Sequence, residues 1–452
     1  MRMQLKTAAP NMPTARRRLI AASCALLSAG AVRSPEARAA NGEGGLFDDW
    51  SLDTALAYYH EDGRIHAIEP IVDVAKAFVN GQSISANVTF DALAGASPNG
   101  ALPSRLPQTF GSPSSKASQT AYVTAPGQLP VDPNYHDDRI AVGADWTIPL
   151  TQTTPLSLGA KLSDEHDFFS VSANASIAHD FNDKNTTLSF GINNEYDRLH
   201  PIGGAPIPGA DIAFGDAPPP GTGAAFQVGG RTSLETKDGI GVLLGVTQVM
   251  NRYWLSEFNI SADRFHGYLN DPYKITSVID SGGGSTEYIY ESRPRERTRR
   301  SAYWENRVTL SPAVSTALSL RYMSDDWGVR SETAELHLRR QLANRERYIE
   351  PSIRWYNQSA ANFYVPFLLD TNVLPTYQAS DSRLAEFHAL TYGLKFAQML
   401  PGVGARAESE ISVRAEYYQQ TLVERTPVPV SLQGLDLFPG VKAVLVQVGW
   451  RF

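Results

Sequence analysis

The sequence predicts an all-β chain: a transmembrane, antiparallel, up-and-down β-barrel of about sixteen strands, of the outer-membrane type, after a cleaved N-terminal signal peptide. Three observations carry that prediction. Apolar residues recur at every second position through most of the chain, short and longer links alternate between the segments that show this period, and the sequence closes on KAVLVQVGWRF. In that closing stretch Val444, Val446, Val448, Trp450 and Phe452 fall on one face, and Ala443, Leu445, Gln447, Gly449 and Arg451 on the other.

The amino end is read first. Arg16, Arg17 and Arg18 precede an apolar run from Leu19 to Val32 and a small-x-small site at Ala37, Arg38 and Ala39. This is the layout of a signal peptide over residues 1–39, which leaves residues 40–452 as the barrel. The run falls short of the roughly 18 apolar residues that a retained helical anchor needs. Its paired arginines resemble a twin-arginine export signal only loosely. The single cysteine, Cys24, lies inside the run, and Ala21 stands where a lipoprotein signal wants a large aliphatic residue. Cleavage would leave no cysteine, and so no disulfide framework and no thiolate metal ligand. It would also remove seven Lys or Arg and one Asp or Glu, taking the chain from 40 and 47 to 33 and 46, a net charge of −13. Such an acidic exported chain is a poor fit to nucleic acid, which needs clustered cations.

The period-two segments follow in order. Two fainter ones cover 52–58 and 72–78. Clear ones are Ile84 to Phe90, Ile140 to Leu150, Leu156 to Leu162, Phe169 to Ile177, Leu188 to Ile192 and Ile240 to Val246. Then come Phe258 to Ala262, Trp304 to Leu310, Leu318 to Tyr322, Ala334 to Leu338, Ile353 to Trp355, Leu390 to Phe396 and Ile411 to Tyr417, before the closing segment. Short links fall near 80–81, 151–155, 182–185, 251–252, 311–313, 343–346 and 401–404. Between them lie links that are often long and rich in Pro, Gly and Asp, notably 94–138, 199–230, 267–299, 359–383 and 423–440. The alternation puts both termini on the short-link side, as in barrels with tight periplasmic turns and long extracellular loops. A soluble sandwich or propeller predicts neither feature. Trp146, Trp254, Trp304, Trp355, Tyr392 and Trp450 sit on the apolar face or near strand ends, where membrane interfaces favour such rings.

Several longer motifs carry a resemblance. DALAGASPNGA (91–101), GVTQVMNRYWL (245–255), GYLNDPYK (267–274) and ESRPRERTRRSAYW (291–304) resemble the bacterial family called domain of unknown function 3570. The resemblance implies an outer-membrane barrel and carries over no catalytic residue. The last strand also resembles the C-terminal signal read by barrel-assembly machinery, with Val444, Val446, Val448, Trp450 and Phe452 as its matching positions.

Function should show on the lumen face. Asp73, Asp91, Asp145, Glu257 and Asp263 belong to the first nine strands, where Lys161 is the clear inward cation. Arg307, Arg321, Arg339, Arg354, Lys395 and Arg414 come from the strands that follow, against Glu305, Glu335 and Glu416. Facing walls of opposite sign would orient solutes by their field, whereas pairing between neighbouring strands would only satisfy the charges. A second constellation comprises His60, Glu61 and Asp62, then His136, Asp137 and Asp138, then Asp164, Glu165, His166 and Asp167. Carboxylates with imidazoles suit divalent metals, and the bland reading is a solvated acidic rim. Arg293, Arg295, Arg297, Arg299 and Arg300 form a basic run that would grip lipopolysaccharide phosphates or an anionic solute, or simply stay wet. Gly282, Gly283 and Gly284 lack the sequel of a phosphate loop and read as a flexible tip.

No G-x-S-x-G motif or zinc helix is present, so the expectation is a protein that is not an enzyme and takes no cofactor. The leading functional reading is a porin-like channel for small polar solutes or ions, with outer-membrane lipid, lipopolysaccharide and the assembly machinery as partners. The alternatives are a plugged structural or secretion-associated barrel that binds a partner, and a hydrolase with its site at the rim.

Overall fold

The computed structural model describes residues 50–111, 121–133, 135–212, 231–342, 346–401 and 409–452. The expected signal peptide, and parts of the links at 94–138, 199–230, 343–346 and 401–404, lie outside the described residues.

Sixteen strands form the wall. They are β1 (Trp50–Glu61), β2 (His66–Ala77), β3 (Ser83–Ala94), β4 (His136–Thr151), β5 (Thr154–Glu165), β6 (Phe168–Phe181), β7 (Thr186–Leu199) and β8 (Glu235–Asn251). The circuit continues through β9 (Trp254–Gly267), β10 (Glu296–Ser311), β11 (Val314–Asp325), β12 (Arg330–Leu342), β13 (Arg347–Gln358), β14 (Phe387–Leu400), β15 (Ser409–Leu422) and β16 (Val441–Arg451). Each pairs antiparallel with the next, and β16 pairs with β1, so the sheet is a closed barrel. Every period-two segment read from the sequence, including the two fainter ones, becomes one of these strands.

Closure follows from the register of the last strand. Asp53 stands opposite Arg451 and Glu61 opposite Ala443. One residue further, Leu52 and Phe452 exchange both backbone hydrogen bonds, at 2.9 and 3.0 Å. Arg451 Nε donates to Asp53 Oδ1 at 2.7 Å on the lumen side of the seam. Lipid offers no partner for a free strand edge, and this pairing removes the edge.

The apolar positions point outward. Val444, Val446, Val448 and Trp450 on β16, Leu244 on β8 and Ile260 on β9 are all exposed, while Ala443 and Leu445 face inward and are buried. A strand of 12 residues at about 3.3 Å per residue, tilted by about 40°, spans about 30 Å, enough for the hydrocarbon band. Exposed rings edge that band at both ends. Trp146, Trp254 and Trp450 lie near the end that holds the termini, and Tyr58, Tyr196, Tyr322 and Trp355 near the other. Trp254 Nε1 donates to Asn306 Oδ1 at 2.9 Å and Trp304 Nε1 to Ser256 Oγ at 3.0 Å, which satisfies their polar tips beside the apolar face.

Links at the end that holds the termini are tight wherever described. Asn182, Asp183 and Lys184 turn the chain between β6 and β7 at φ of 50, 53 and 65°. Gly81, at φ 81°, does so between β2 and β3. At the opposite end five links are long: 95–135, 200–234, 268–295, 359–386 and 423–440. Gly267, at φ 117°, closes β9 where a Cβ would meet Thr236 O at 2.3 Å, so only glycine fits the start of the 268–295 loop.

The two faces of the wall predict opposite responses to charge. Leu244→Arg, in mid-strand toward lipid, is expected to cost about 2–4 kcal/mol in unfolding from bilayers. Ser319→Arg sits on the lumen face, opposite Glu305 and Glu335. Its stability is expected to match the parent in the same urea titration.

Candidate functional site: a capped mouth above an ionic lumen

The long loops do not stand apart as flexible tips. Residues Ile275–Ile279 and Ser285–Tyr290 form a hairpin that lies at the centre of a four-stranded sheet, flanked by Asp211–Ile212 and Leu368–Leu369. Ile279 is fully buried and Val278 and Ile289 nearly so. The hairpin is the meeting point of four other loops. Ile275 N donates to Asn99 O at 2.9 Å and Leu102 N to Ser277 Oγ at 3.0 Å. Ile212 pairs with Tyr288, and Val278 with Leu368. Ser431 Oγ donates to Gly282 O.

Two apolar clusters weld the loops together. Ala101, Phe110, Tyr122, Ile212, Ile275 and Tyr290 make one, and Leu102, Ile279, Phe367, Leu432 and Leu437 the other. The glycines at 282–284 are therefore the turn of a packed hairpin, with Gly283 against Ser431, Leu432 and Pro429. This corrects their reading as a flexible tip.

The order of the ring places this core. The five long loops leave it between β3 and β4, β7 and β8, β9 and β10, β13 and β14, and β15 and β16. No arc between successive exits exceeds four of the sixteen strands. A core shared by loops from all sides lies across the axis, so the loops form a cap over the mouth. The 95–135 loop belongs to this cap through Asn99, Leu102 and Arg105, whose Nε donates to Ser431 O at 2.5 Å.

A buried ionic network locks the cap. Arg293 Nε lies 2.7 Å from Glu291 Oε1, and its Nη2 lies 2.9 Å from Asp381 Oδ2. Arg383 Nη2 reaches Asp381 Oδ2 at 2.6 Å and also pairs with Asp271. Asn270 Oδ1 accepts from Arg293 N at 2.7 Å, and Lys274 Nζ donates to Pro98 O. Ser292 and Gln378 exchange backbone hydrogen bonds at 2.8 Å. Three loops are thus joined by charges of which Lys274, Glu291, Arg293 and Asp381 are buried and Asp271 and Arg383 half-buried. Burial alone would raise Asp381, but Arg383 and Arg293 hold it far below the usual carboxylate range. Asp271 is lowered in the same way, chiefly by Arg383. Burial wins at Glu291, whose carboxyl is pushed up to about 7 against the pull of Arg293.

The basic run is divided by its own alternation. Arg293 is in the network, Arg297 is buried against Asp325 with Nη2 to Oδ2 at 2.5 Å, and Arg299 is buried 3.8 Å from Asp263. Arg295 and Arg300 are exposed. The run is therefore not one phosphate-gripping loop, because β10 begins at Glu296 and sends its odd positions inward.

Lumen charges pair locally. Asp91 accepts from Arg139 Nε at 2.5 Å, and Arg307 pairs with Glu305. Arg339 meets Glu350 at 2.6 Å, Lys395 meets Glu410 at 3.2 Å, and Arg414 meets Glu416 at 3.5 Å. Glu257 accepts from Asn259 at 2.7 Å. Asp145 lies beside Gly159, Asp73 stands opposite Asp53 and Asn87, and Arg354 opposite Glu335 and Thr391. Arg321, opposite Tyr303 and Thr333, makes no ion pair among the described residues, and neither does Lys161. The first nine strands hold more inward cations than Lys161 alone. Arg139 serves Asp91, and Lys237 lies 2.6 Å from the fully buried Asp197. His337, between Glu335 at 2.8 Å and Glu350 at 3.3 Å, was likewise not read from the sequence. Their parity was visible, but Arg139 and Lys237 lie outside the short apolar segments that marked their strands, whereas His337 lies within its own, between Leu336 and Leu338.

The acidic and histidine clusters split in the same manner. His60, His136, Asp138, Asp164 and His166 are exposed, and Asp62 is exposed in the β1–β2 turn. Glu61 is buried and accepts from Tyr59 Oη at 2.5 Å. Asp137 turns inward, where one carboxylate oxygen each from Asp137, Glu165 and Asp167 lie within 4.8 Å of one another. Tyr135 Oη is 3.5 Å from Asp137, and Tyr273 of the cap donates to Asp167. The imidazoles and these inward carboxylates occupy opposite faces of one sheet, so they do not assemble into a mixed metal site or an acid and histidine pair.

A closed sixteen-strand barrel with an outward apolar band, two aromatic edges and a polar lumen defines an integral outer-membrane β-barrel protein. The family model described as "Protein of unknown function (DUF3570)" matches residues 16–452, and the chain belongs to that family. No curated protein matches it. Among solved structures, it is similar to the siderophore receptor PirA from Acinetobacter baumannii, with 8% identity over 83% of this chain and 53% of that one and a TM-score of 0.39. It thus spans about half the length of that receptor. A bacterial polysaccharide outer membrane secretin gives 10% identity over 90% and 100% of the two chains at a TM-score of 0.40. OccK2 (OpdF) from Pseudomonas aeruginosa gives 10% over 89% and 97% at 0.37.

The network makes the cap sensitive to pH in a stated direction. A carboxyl raised in the folded state contributes stability that is full below the ordinary carboxylate range and is lost as pH rises through about 7. Amide hydrogen exchange in residues 275–290, corrected for intrinsic rates, is expected to become faster between pH 6 and 8. Glu291→Gln is expected to flatten that change.

Proposed function

We propose that the protein is an outer-membrane channel for small polar solutes or ions whose extracellular mouth is governed by the loop cap. The observation that carries this reading is the lumen wall. Many of its inward positions carry ionised or hydrogen-bonded side chains, such as Arg339 with Glu350 and Lys395 with Glu410, beside a small apolar cluster of Ala57, Tyr59, Ala67, Ala443 and Leu445 where β16 meets β1 and β2. Barrels of this strand number have room for an aqueous lumen. Local pairing weakens the field of each paired group, so selectivity rests on the inward charges left unpaired, foremost Arg321. The closing residues Val444, Val446, Val448, Trp450 and Phe452 act in this account as the assembly signal.

One observation favours a second reading, a plugged barrel that binds a partner. The cap is a packed body with apolar side chains on its outer surface, including Val373 at 97% and Val430 at 81% exposure.

Planar-bilayer recording separates the two. The wild-type barrel is expected to show infrequent conductance steps, and Arg383→Ala, which removes the ion-pair partner of Asp271 and one of the two of Asp381, to show frequent ones. A silent wild type together with a silent, correctly folded Arg383→Ala would leave the plugged barrel. In a salt gradient, Arg321→Gln is expected to shift the reversal potential toward cation selectivity, because it removes an inward cation that no ion-paired carboxylate neutralises.

A further inference from the structure

The outer face of the first five strands carries a feature that conduction leaves unused. His60 stands opposite His66 across β1 and β2, His66 opposite Ala94 on β3, and Ala94 opposite His136 on β4. Three imidazoles therefore share one cross-strand row at the extracellular end of the wall. His166 follows in the turn between β5 and β6. All four are exposed, and all fall at the even positions that carry Tyr58, Ile68, Ile140 and Leu162 toward lipid. The Tyr58 and His60 rings are stacked, with centroids 6.5 Å apart and planes 4° apart. Since Tyr58 belongs to the aromatic edge of the membrane band, the row sits one step above it, at headgroup level.

The charges that share this surface are of one sign. Asp62, Asp138 and Asp164 are exposed among the imidazoles. Arg64 is turned away onto the 423–440 loop, where Nη2 donates to Pro439 O at 3.0 Å. Glu61, Asp137 and Glu165 belong to the inner face, and Arg139 is there with Asp91. Exposed cations bound the arc only at its edges, Lys442 on β16 and Arg198 with His200 beside the β6–β7 side. Between those edges the three carboxylates outweigh neutral imidazoles, and four imidazolium groups outweigh the three carboxylates.

We propose that this arc is an acid-switched contact for the phosphate groups of outer-leaflet lipid. At neutral pH the arc repels phosphate unless divalent ions bridge the two. Protonated imidazoles instead donate charge-assisted hydrogen bonds to phosphate oxygens directly. The occupant is a lipid rather than free phosphate because the apolar positions directly beneath, Leu56, Ile68, Val88, Ile140 and Leu162, are exposed to receive acyl chains. The proposal stands whether or not the barrel conducts.

Binding of diphosphorylated lipid A to the folded full-length protein in detergent, with divalent ions chelated, tests it by native mass spectrometry at pH 7.5 and 5.5. The bound fraction of wild type is expected to rise on the order of tenfold in acid. The rise should disappear when His60, His66, His136 and His166 are all changed to Gln, with heat-modifiable folding retained. It should persist in His179→Gln, at the opposite end of the wall. An undiminished rise in the quadruple variant, an equal rise with zwitterionic phosphatidylethanolamine, or displacement of the lipid by inorganic phosphate would overturn it.

Discussion

The rest of the structure depends on one pairing, that of β16 with β1. A sheet in hydrocarbon has to satisfy every backbone donor and acceptor within itself, and an open edge costs several kcal/mol for each unpaired group. Leu52 and Phe452 complete the ladder, and Arg451 with Asp53 ties its lumen side. Once the ring is closed, position along the chain becomes position around a circle. Period-two alternation then has one outcome at every strand: the apolar set, even-numbered in strands such as β8 and β16 (Leu244, Val446) and odd-numbered in β6, β13 and β15 (Ile177, Ile353, Val413), meets lipid, and the residues between meet the lumen.

The same circle explains the cap. Loops that are far apart in sequence leave the ring at intervals of four strands or fewer, so a hairpin from one of them can touch the others over the axis. Packing Ile279 with Leu102 and Leu432 gives the loops a core of their own. Arg293, Asp381 and Arg383 add specificity rather than simple stability, since buried charges repay their desolvation only in one geometry. A cap held by apolar contact alone could slide. One held also by this network has a defined closed position, and losing a single partner strands a buried charge.

Most of the wall was legible in the sequence because lipid imposes a local rule. Each strand announces itself within a few residues, and even the fainter segments at 52–58 and 72–78 obey it. Much of the lumen chemistry was hidden just beyond those segments, as with Arg139, Lys237 and Glu350. The cap was not legible, because its contacts join residues as distant as Arg105 and Ser431. One local signal was there to be read. ITSVI and STEYIY flank a glycine-rich turn, the pattern of a hairpin, but loop position and the tripled glycine suggested a flexible tip. The arginine run misled in a related way, since counting charges ignores the alternation that sends Arg297 and Arg299 inward and Arg300 outward.

The central claim is that the loops close the extracellular mouth above a water-filled lumen, and thiol accessibility tests it most directly. Cys24 is the only cysteine in the sequence and lies in the expected signal peptide, so a cysteine placed at Asn174, on the lumen face of β6, reports alone. On intact cells, a membrane-impermeant maleimide is expected to label Asn174→Cys slowly, and much faster when Asp381→Ala is added to break the network. Equally fast labelling in both backgrounds would contradict a closed mouth, and no labelling in either, with full labelling after unfolding, would contradict an open lumen beneath the cap.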